Sequence, residues 1–166
     1  MQHTPLDDAR LARELADLAG QLLLDLRDPG LAAAELKRRG DVGSHELLTA
    51  RLAVERPTDA VLSEEGKDDL VRLSCDRVWI IDPLDGTREF GEPPRDDWAV
   101  HVALWQQGAL VAGAVALPAR GITYATDQPP ARPALRPGRL RLAVSRTRPP
   151  EFVTRLAERL DAELVP

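Results

Sequence analysis

The chain has 166 residues, enough for one domain with a core of its own. Hydrophobic residues make up 43% and charged residues 30%, the balance of a soluble globular protein, and the 4% of aromatics predicts an aliphatic core. With 22 Lys and Arg against 27 Asp and Glu, the formal charge of -5 argues against nonspecific nucleic-acid binding, which needs a basic face, although metal ions can still mediate contact with an anionic ligand.

Thr4-Pro5, followed by Asp7 and Asp8, predicts a helix start: a capping hydroxyl, proline in the first turn and acids near the positive dipole end. Leu11, Leu15, Leu18, Leu22 and Leu26 recur at three- and four-residue spacing and define one helix face. Asp28-Pro29-Gly30 stops it. The 31–39 segment, rich in Ala, Lys and Arg, fits either a short helix or a loop. Gly40-Asp41-Val42-Gly43-Ser44 predicts a turn, with Ser44 capping a second helix that buries Leu47, Leu48, Leu52 and Ala53 and ends at Pro57-Thr58-Asp59.

The period then changes, and short apolar runs replace the helical spacing. Ala60-Val61-Leu62-Ser63 predicts a short strand leading into Glu64-Glu65, and Val78-Trp79-Ile80-Ile81 a stronger one leading into Asp82. Over 98–105 the residues alternate, with Trp98, Val100, Val102 and Leu104 on one face and Ala99, His101, Ala103 and Trp105 on the other. Gln107-Gly108 makes a turn, and 110–117 and 122–126 are further strands. The 127–138 segment, with Pro129, Pro130, Pro133 and Pro137, reads as a surface loop. A strand over 140–144 follows, then a helix opened by Pro149-Pro150 and carrying Phe152, Val153, Leu156 and Leu160. Glu163-Leu164-Val165 reads as a strand beginning. No internal repeat and no low-complexity segment is present. Helices, then neighbouring strands, then another helix predict mixed α and β layers with part of the sheet antiparallel, not a regular βαβ alternation.

The single cysteine, Cys75, excludes an intrachain disulfide and fits a reducing compartment. The first residues lack a basic n-region and an apolar h-region, and no apolar run approaches a membrane span, so a cytoplasmic protein with no membrane partner is expected.

The chemistry concentrates in Trp79-Ile80-Ile81-Asp82-Pro83-Leu84-Asp85-Gly86-Thr87. An apolar strand delivers one carboxylate at its end, Pro83 stiffens the turn, and a second carboxylate follows three residues later. Hard divalent cations take oxygen ligands, six of them in near-ideal geometry for magnesium. Asp82 and Asp85 can each reach a metal, and the Leu84 carbonyl can add a third oxygen. At a helix N-terminus the Gly86 and Thr87 amides become a phosphate cradle. Glu64 and Glu65 alone read as solvated surface. Joined to Asp82 and Asp85, they provide the strand-end carboxylates of a two-metal phosphoryl-transfer site. The three-residue spacing of the acids disfavours the Asp-x-Asp-x-Thr pattern of haloacid-dehalogenase-type enzymes, and the alternating ligands of an EF-hand are absent.

Asp82-Pro83-Leu84-Asp85-Gly86-Thr87 resembles the Asp-Pro-[Ile/Leu]-Asp-Gly-Thr signature of the inositol monophosphatase superfamily. Leu62-Ser63-Glu64-Glu65 resembles its upstream [Gly/Ser]-Glu-Glu element. Arg88-Glu89-Phe90 looks like the [Lys/Arg]-Glu-Phe of its 3′(2′),5′-bisphosphate nucleotidase (CysQ-type) branch, where inositol monophosphatases more often carry Asn before that Phe. The 98–104 and 115–118 segments and Val144-Ser145-Arg146 are also similar to the family.

The resemblance implies a layered αβαβα sandwich with a mixed, largely antiparallel sheet. Residues 1–166 would form a single, incomplete phosphatase domain, the metal-binding half, with the C-terminal layers missing or supplied by another chain. It implies a magnesium-dependent phosphomonoesterase, with two or three Mg2+ ions, that hydrolyses 3′-phosphoadenosine 5′-phosphate in sulfur assimilation. An inositol monophosphate or fructose 1,6-bisphosphate phosphatase is the nearest alternative. An inactive fragment, lacking a later Asp of a Trp-Asp motif that completes the metal site, is another, since no Trp follows Trp105.

Carried over residue by residue, Glu64, Asp82, Asp85 and the Leu84 carbonyl bind magnesium, Asp85 bridges two metals, and Gly86 and Thr87 contact the phosphate. A metal-bound water attacks phosphorus in line, with no covalent enzyme intermediate, and Thr87 paired with an Asp helps activate it. Asp41 occupies the matching place, where the family usually has Val-Thr-x-Ala-Asp and this chain has Lys37-Arg38-Arg39-Gly40-Asp41. A plain turn residue is the other reading of Asp41. Glu65 orients the ligands.

Other polar residues have plainer readings. His101 is assigned a packing or hydrogen-bonding role, and His3 and His45 the surface. Cys75 is inert. Trp79, Trp98 and Trp105 are core, and Asp96-Asp97 is a turn. The arginines over 132–148 are solvated, with steering of an anionic nucleotide as the alternative. An incomplete domain exposes apolar surface, so a homo-oligomer is the remaining partner expectation.

Overall fold

The structure is a computed structural model that describes residues 7–27, 30–132, 134, 138–145 and 148–166. The chain divides into two compact units, Met1–Pro130 and Ala131–Pro166.

The first unit opens with helix α1 (Asp8–Leu26), capped by Asp7, whose carboxylate accepts the Arg10 amide at 2.8 Å. The expected Thr4-Pro5 cap, His3, and the stop residues Asp28 and Pro29 lie outside the described residues. The buried face is not the expected leucine row. Leu11 and Leu15 are buried, but so are Ala12, Ala16, Ala19, Gly20 and Leu23, while Leu18 is 43% exposed. Helix α1 packs on strands rich in alanine, and a Cβ on Gly20 would come within 2.7 Å of Pro118 Cγ. Close backbone approach selects small side chains, which a leucine count overlooks.

Helix α2 (Ala33–Glu55) runs unbroken through Gly40–Ser44, correcting the expected turn and the expected cap at Ser44. Its buried stripe is Leu36, Gly40, Ser44, Leu48 and Leu52, one residue in four. Leu47 is half-buried and Ala53 exposed. Gly40 is there for proximity: a Cβ would meet Phe90 Cε1 at 2.7 Å and Leu84 Cδ2 at 2.9 Å. The Ser44 hydroxyl, fully buried, lies 2.9 Å from both the Gly40 and the Pro83 carbonyl oxygens. Its proton therefore satisfies the helix and the neighbouring strand at once.

A five-stranded sheet follows in the spatial order β1 (Ala60–Ser63), β2 (Arg77–Asp85), β3 (Ala99–Gln106), β4 (Ala109–Leu117) and β5 (Ile122–Ala125). Strands β1 and β2 are parallel, joined through a 3₁₀ turn at Leu70–Ser74; every other neighbouring pair is antiparallel. The β3–β4 hairpin turns on Gln107 and Gly108, with φ of 49° and 89°, the positive pair that a type I′ turn requires. The helix-covered face carries Trp79, Ile81, Val100, Val102, Leu104, Ala112, Ala114 and Ala116, all buried. The predicted alternation over 98–105 holds on this side. Trp79 and Trp98 belong to the core, and Trp105 is half-buried on the other face.

In the second unit, β6 (Arg141–Ala143) pairs in parallel with β7 (Glu163–Val165), and helix α4 (Glu151–Leu160) connects them. Ala157 is the helix's buried residue, whereas Phe152 is 63% exposed. The described residues of the 127–138 segment form neither helix nor strand; Pro133, Pro137 and Arg146 lie outside the described residues.

Candidate metal centre

Strand β2 gathers the acids through a break in its own periodicity. In a regular strand, residues three apart face opposite sides. Here Asp82 pairs with His101 and Asp85 with Ala99, so β2 takes three steps where β3 takes two. The extra residue is a β-bulge, and it turns Asp85 back to the face of Asp82. Pro83 makes the interruption natural, because it has no N–H for the ladder. The remaining polar groups are accounted for: the Pro83 carbonyl accepts from Ser44, and the Leu84 amide donates to Asp82 Oδ1 at 3.2 Å. The strand thus continues to Asp85 where the sequence predicted a turn.

Strand β1 brings the third acid. The Glu64 amide donates to the Ile81 carbonyl at 3.3 Å, extending the parallel register one residue and setting Glu64 alongside Asp82. Glu64, Asp82, Asp85 and His101 then line one open groove of about 560 Å³, whose floor is Leu62, Ile80 and Ala103.

Helix α2 delivers Asp41 from the other side. Thr87 Oγ1 lies 3.2 Å from Asp41 Oδ1 and 3.0 Å from the Leu84 carbonyl. Asp41 is therefore a helical residue facing Thr87, which replaces the turn reading. Thr87 opens the short helix α3 (Thr87–Phe90) behind Gly86, whose φ of +79° suits glycine. A Cβ there would also meet Asp97 O at 3.1 Å.

Electrostatics tie these acids into one cluster. Burial, then Glu64 and Asp85, push the Asp82 carboxyl up to about 6. Asp41 is raised by burial first and by Glu65 next, with the Thr87 hydrogen bond opposing. Among the described residues no three His, Cys, Asp or Glu side chains form a closed metal-binding set. The fit to a cation rests on donor chemistry: the clustered donors are oxygens, which suits a hard ion. The Leu84 carbonyl, with two lone pairs, can accept from Thr87 and still ligate.

Several residues fall elsewhere. His101, assigned only packing or hydrogen bonding, enters the cluster: its Nε2 lies 3.2 Å from Asp85 Oδ2. Its register opposite Asp82 was the one signal available, and it needed the hairpin pairing to be read. His45, expected at the surface, is half-buried with Nδ1 2.8 Å from Ser63 Oγ, just before Glu64. Glu89 faces Arg95 at 3.5 Å and Phe90 is fully buried. Asp96 pairs with Arg120, and Asp97 with Arg95. Cys75 is half-buried, its thiol 3.4 Å from the Val71 carbonyl. In the second unit, Arg139 and Arg141 pair with Asp161 and Glu163.

Fold and site together define a mixed α/β domain that presents clustered carboxylates at the ends of a parallel strand pair. The sequence pattern of the inositol monophosphatase family matches residues 10–132, and the chain belongs to that family. It is 54% identical over 152 residues to a 3′-phosphoadenosine 5′-phosphate phosphatase of Mycobacterium tuberculosis, covering 86% of this chain and 57% of that protein. A protein of the same name from Mycobacterium leprae is 49% identical over 175 residues, 96% of this chain and 64% of that one. The chain thus spans about six-tenths of the length of these relatives. The structure of CysQ from Bacteroides thetaiotaomicron superposes with a TM-score of 0.73 at 28% identity, covering 95% of this chain and 71% of that one. The family is metal-dependent, and its members act on small phosphorylated substrates. Among the described residues no helix is long and apolar enough to cross a membrane.

Proposed function

We propose that this chain carries the metal-binding part of a phosphomonoesterase that removes the 3′-phosphate from 3′-phosphoadenosine 5′-phosphate, with magnesium as the cation. The observation that carries the reading is the bulge in β2, which puts Asp82 and Asp85 on one face beside Glu64. The choice of substrate rests on the activity for which the relatives at 49% and 54% identity are named.

Glu64, Asp82, Asp85 and the Leu84 carbonyl are the residues to hold two or three Mg2+ ions. Such ions, when bound, polarise phosphoryl oxygens and activate water. The protein's own part begins at Thr87. With its one hydroxyl proton shared between Asp41 and the Leu84 carbonyl, its lone pairs are free to accept a hydrogen bond from a water molecule. A proton taken from that water is matched by the hydroxyl proton passing to Asp41. Burial first and the Glu65 charge next raise Asp41 above its ordinary value, the direction that favours a proton acceptor. The Gly86 and Thr87 amides orient the phosphate, and Glu65 acts on Asp41 through its charge.

The test is phosphate release by this chain from 3′-phosphoadenosine 5′-phosphate, inositol 1-phosphate and fructose 1,6-bisphosphate, with and without Mg2+. Magnesium-dependent release, greatest for the nucleotide and reduced about 100-fold or more in Asp85→Asn, is the expected result. A folded chain that turns over none of the three would sink the catalytic reading. Preference for inositol or sugar phosphate would sink the substrate alone.

A further inference from the structure

We propose that His101 is a positioning residue for Asp85, fixing one carboxylate oxygen so that the other is presented to a divalent cation; this rests on Asp85 being a metal ligand. His101 lies on β3, directly across from Asp82 in the antiparallel register. On an unbulged β2 its ring would face Asp82 alone. The extra residue carries Asp85 back to the same face, and His101 Nε2 comes to 3.2 Å from Asp85 Oδ2.

The direction of that bond follows from chemistry. An ionised carboxylate only accepts, so Nε2 carries the proton and donates. Among the described residues no other side-chain donor holds Asp85, whose side chain is 60% exposed. Its neighbour Asp82 is anchored differently, by the Leu84 amide. The two acids thus have one anchor each: a backbone N–H for Asp82 and an imidazole N–H for Asp85. Without an anchor, an exposed carboxylate samples its rotamers and must be ordered when a cation arrives. Imidazole–carboxylate contacts of this kind orient ligands, and losing one typically weakens metal binding about 10- to 100-fold.

A leucine at 101 keeps a strand-compatible side chain and deletes the donor. A glutamine returns an N–H at a similar reach. The experiment measures Mg2+ binding by calorimetry and Mn2+ binding by electron paramagnetic resonance in the wild-type chain, Asp85→Asn, His101→Leu and His101→Gln. Urea midpoints of the metal-free proteins serve as the folding control. We expect His101→Leu to bind about tenfold more weakly, His101→Gln to recover most of that loss, and the metal-free midpoints of both to match wild type. Equal affinity of His101→Leu and wild type overturns the role of His101 while leaving the metal site standing. So does an equal loss in the Leu and Gln variants, because the donor would then not be the cause. A wild-type chain that binds no Mg2+, or an Asp85→Asn variant that binds as tightly as wild type, overturns the metal reading itself and this inference with it.

Discussion

At Asp82, burial and two neighbouring carboxylates act in the same direction. Its carboxyl is pushed up to about 6 from an ordinary value of 3.8. The folded, metal-free chain therefore holds this proton more tightly than the unfolded chain does. Below about pH 3.8 both states are protonated and the difference vanishes. As pH rises from there through about 6, the unfolded chain ionises first and the folded state loses relative stability, a loss that is complete above that range. Asp82→Asn removes the charge and keeps an oxygen for the Leu84 amide. In excess chelator, its gain over wild type in urea unfolding should be about 1–2 kcal/mol at pH 7.5, after allowance for solvent screening of a half-exposed group, and smaller at pH 5. An equal gain at both values would show that the charge is not the cause. Saturating Mg2+ should reverse the order, since a ligand stabilises only the state that binds it. Of the residues in this corner, Glu64, Asp82, Asp85 and Thr87 were legible because their spacing and types form a motif. His101 was not, because its meaning depends on which β2 residue it faces, and a strand's sequence does not state its register.

The elements show where sequence signals failed and why. Each of the five strands of the first sheet overlaps an expected strand, and β1 matches residue for residue, whereas β2 runs on to Asp85, past the expected end at Ile81. Besides the buried face of α1, the expectation failed on α2, where Gly40 and Gly43 with Asp41 and Ser44 looked like a turn. Gly40 carries no turn signal once its neighbours are known, for it is the point where Phe90 and Leu84 press against the helix. A glycine that permits close packing and one that permits a turn look alike in a single sequence. The distinction is testable. Were Gly40 a helical residue with open space beside it, alanine would strengthen helix α2 by up to about 1 kcal/mol. Because its Cβ would enter space held by two buried side chains, Gly40→Ala should instead destabilise the chain by about 1–3 kcal/mol. Displacing Leu84 also moves a carbonyl of the proposed metal site, so Mg2+ affinity should fall along with the urea midpoint. A stabilised Gly40→Ala variant would refute the packing account. The bulge in β2 was equally hidden: Pro83 announced an interruption, but a turn and a bulge are both ways to accommodate a missing N–H.

Across the whole first unit, the acidic corner is balanced by a second charged cluster at the other end of β2, roughly 25 Å away along a nine-residue strand. Arg77, the first residue of β2, donates to Asp59 at 3.0 Å, to Asp8 at 3.0 Å and to the Gln106 side chain at 2.9 Å. Arg56 also reaches Asp8 at 3.0 Å, and Trp79 Nε1 donates to Asp59 at 2.9 Å. One guanidinium thus links the start of α1, the approach to β1, and strands β2 and β3, with Arg56 adding the end of α2. The two clusters differ in kind. At this end each carboxylate has a cationic partner, so its charge is already matched; at the other end Asp82 is raised by the charges of Glu64 and Asp85. The Asp59 side chain is only 5% exposed, so its charge depends on Arg77. Arg77→Met keeps the apolar stem and removes the head, leaving Asp59 with the Trp79 N–H alone. The expected cost is about 2–3 kcal/mol, the low end for breaking a buried pair because Arg77 is itself partly exposed. Adding Asp59→Asn to that variant should recover part of the loss, since the penalty lies in the stranded charge rather than in the missing contact. Urea unfolding of the two single variants and the double variant measures this directly, and equal instability of Arg77→Met and the double variant would refute it. Mg2+ affinity of the folded Arg77→Met chain should stay at the wild-type value, because Arg77 and the bulge that brings Asp82 and Asp85 to one face lie at opposite ends of β2.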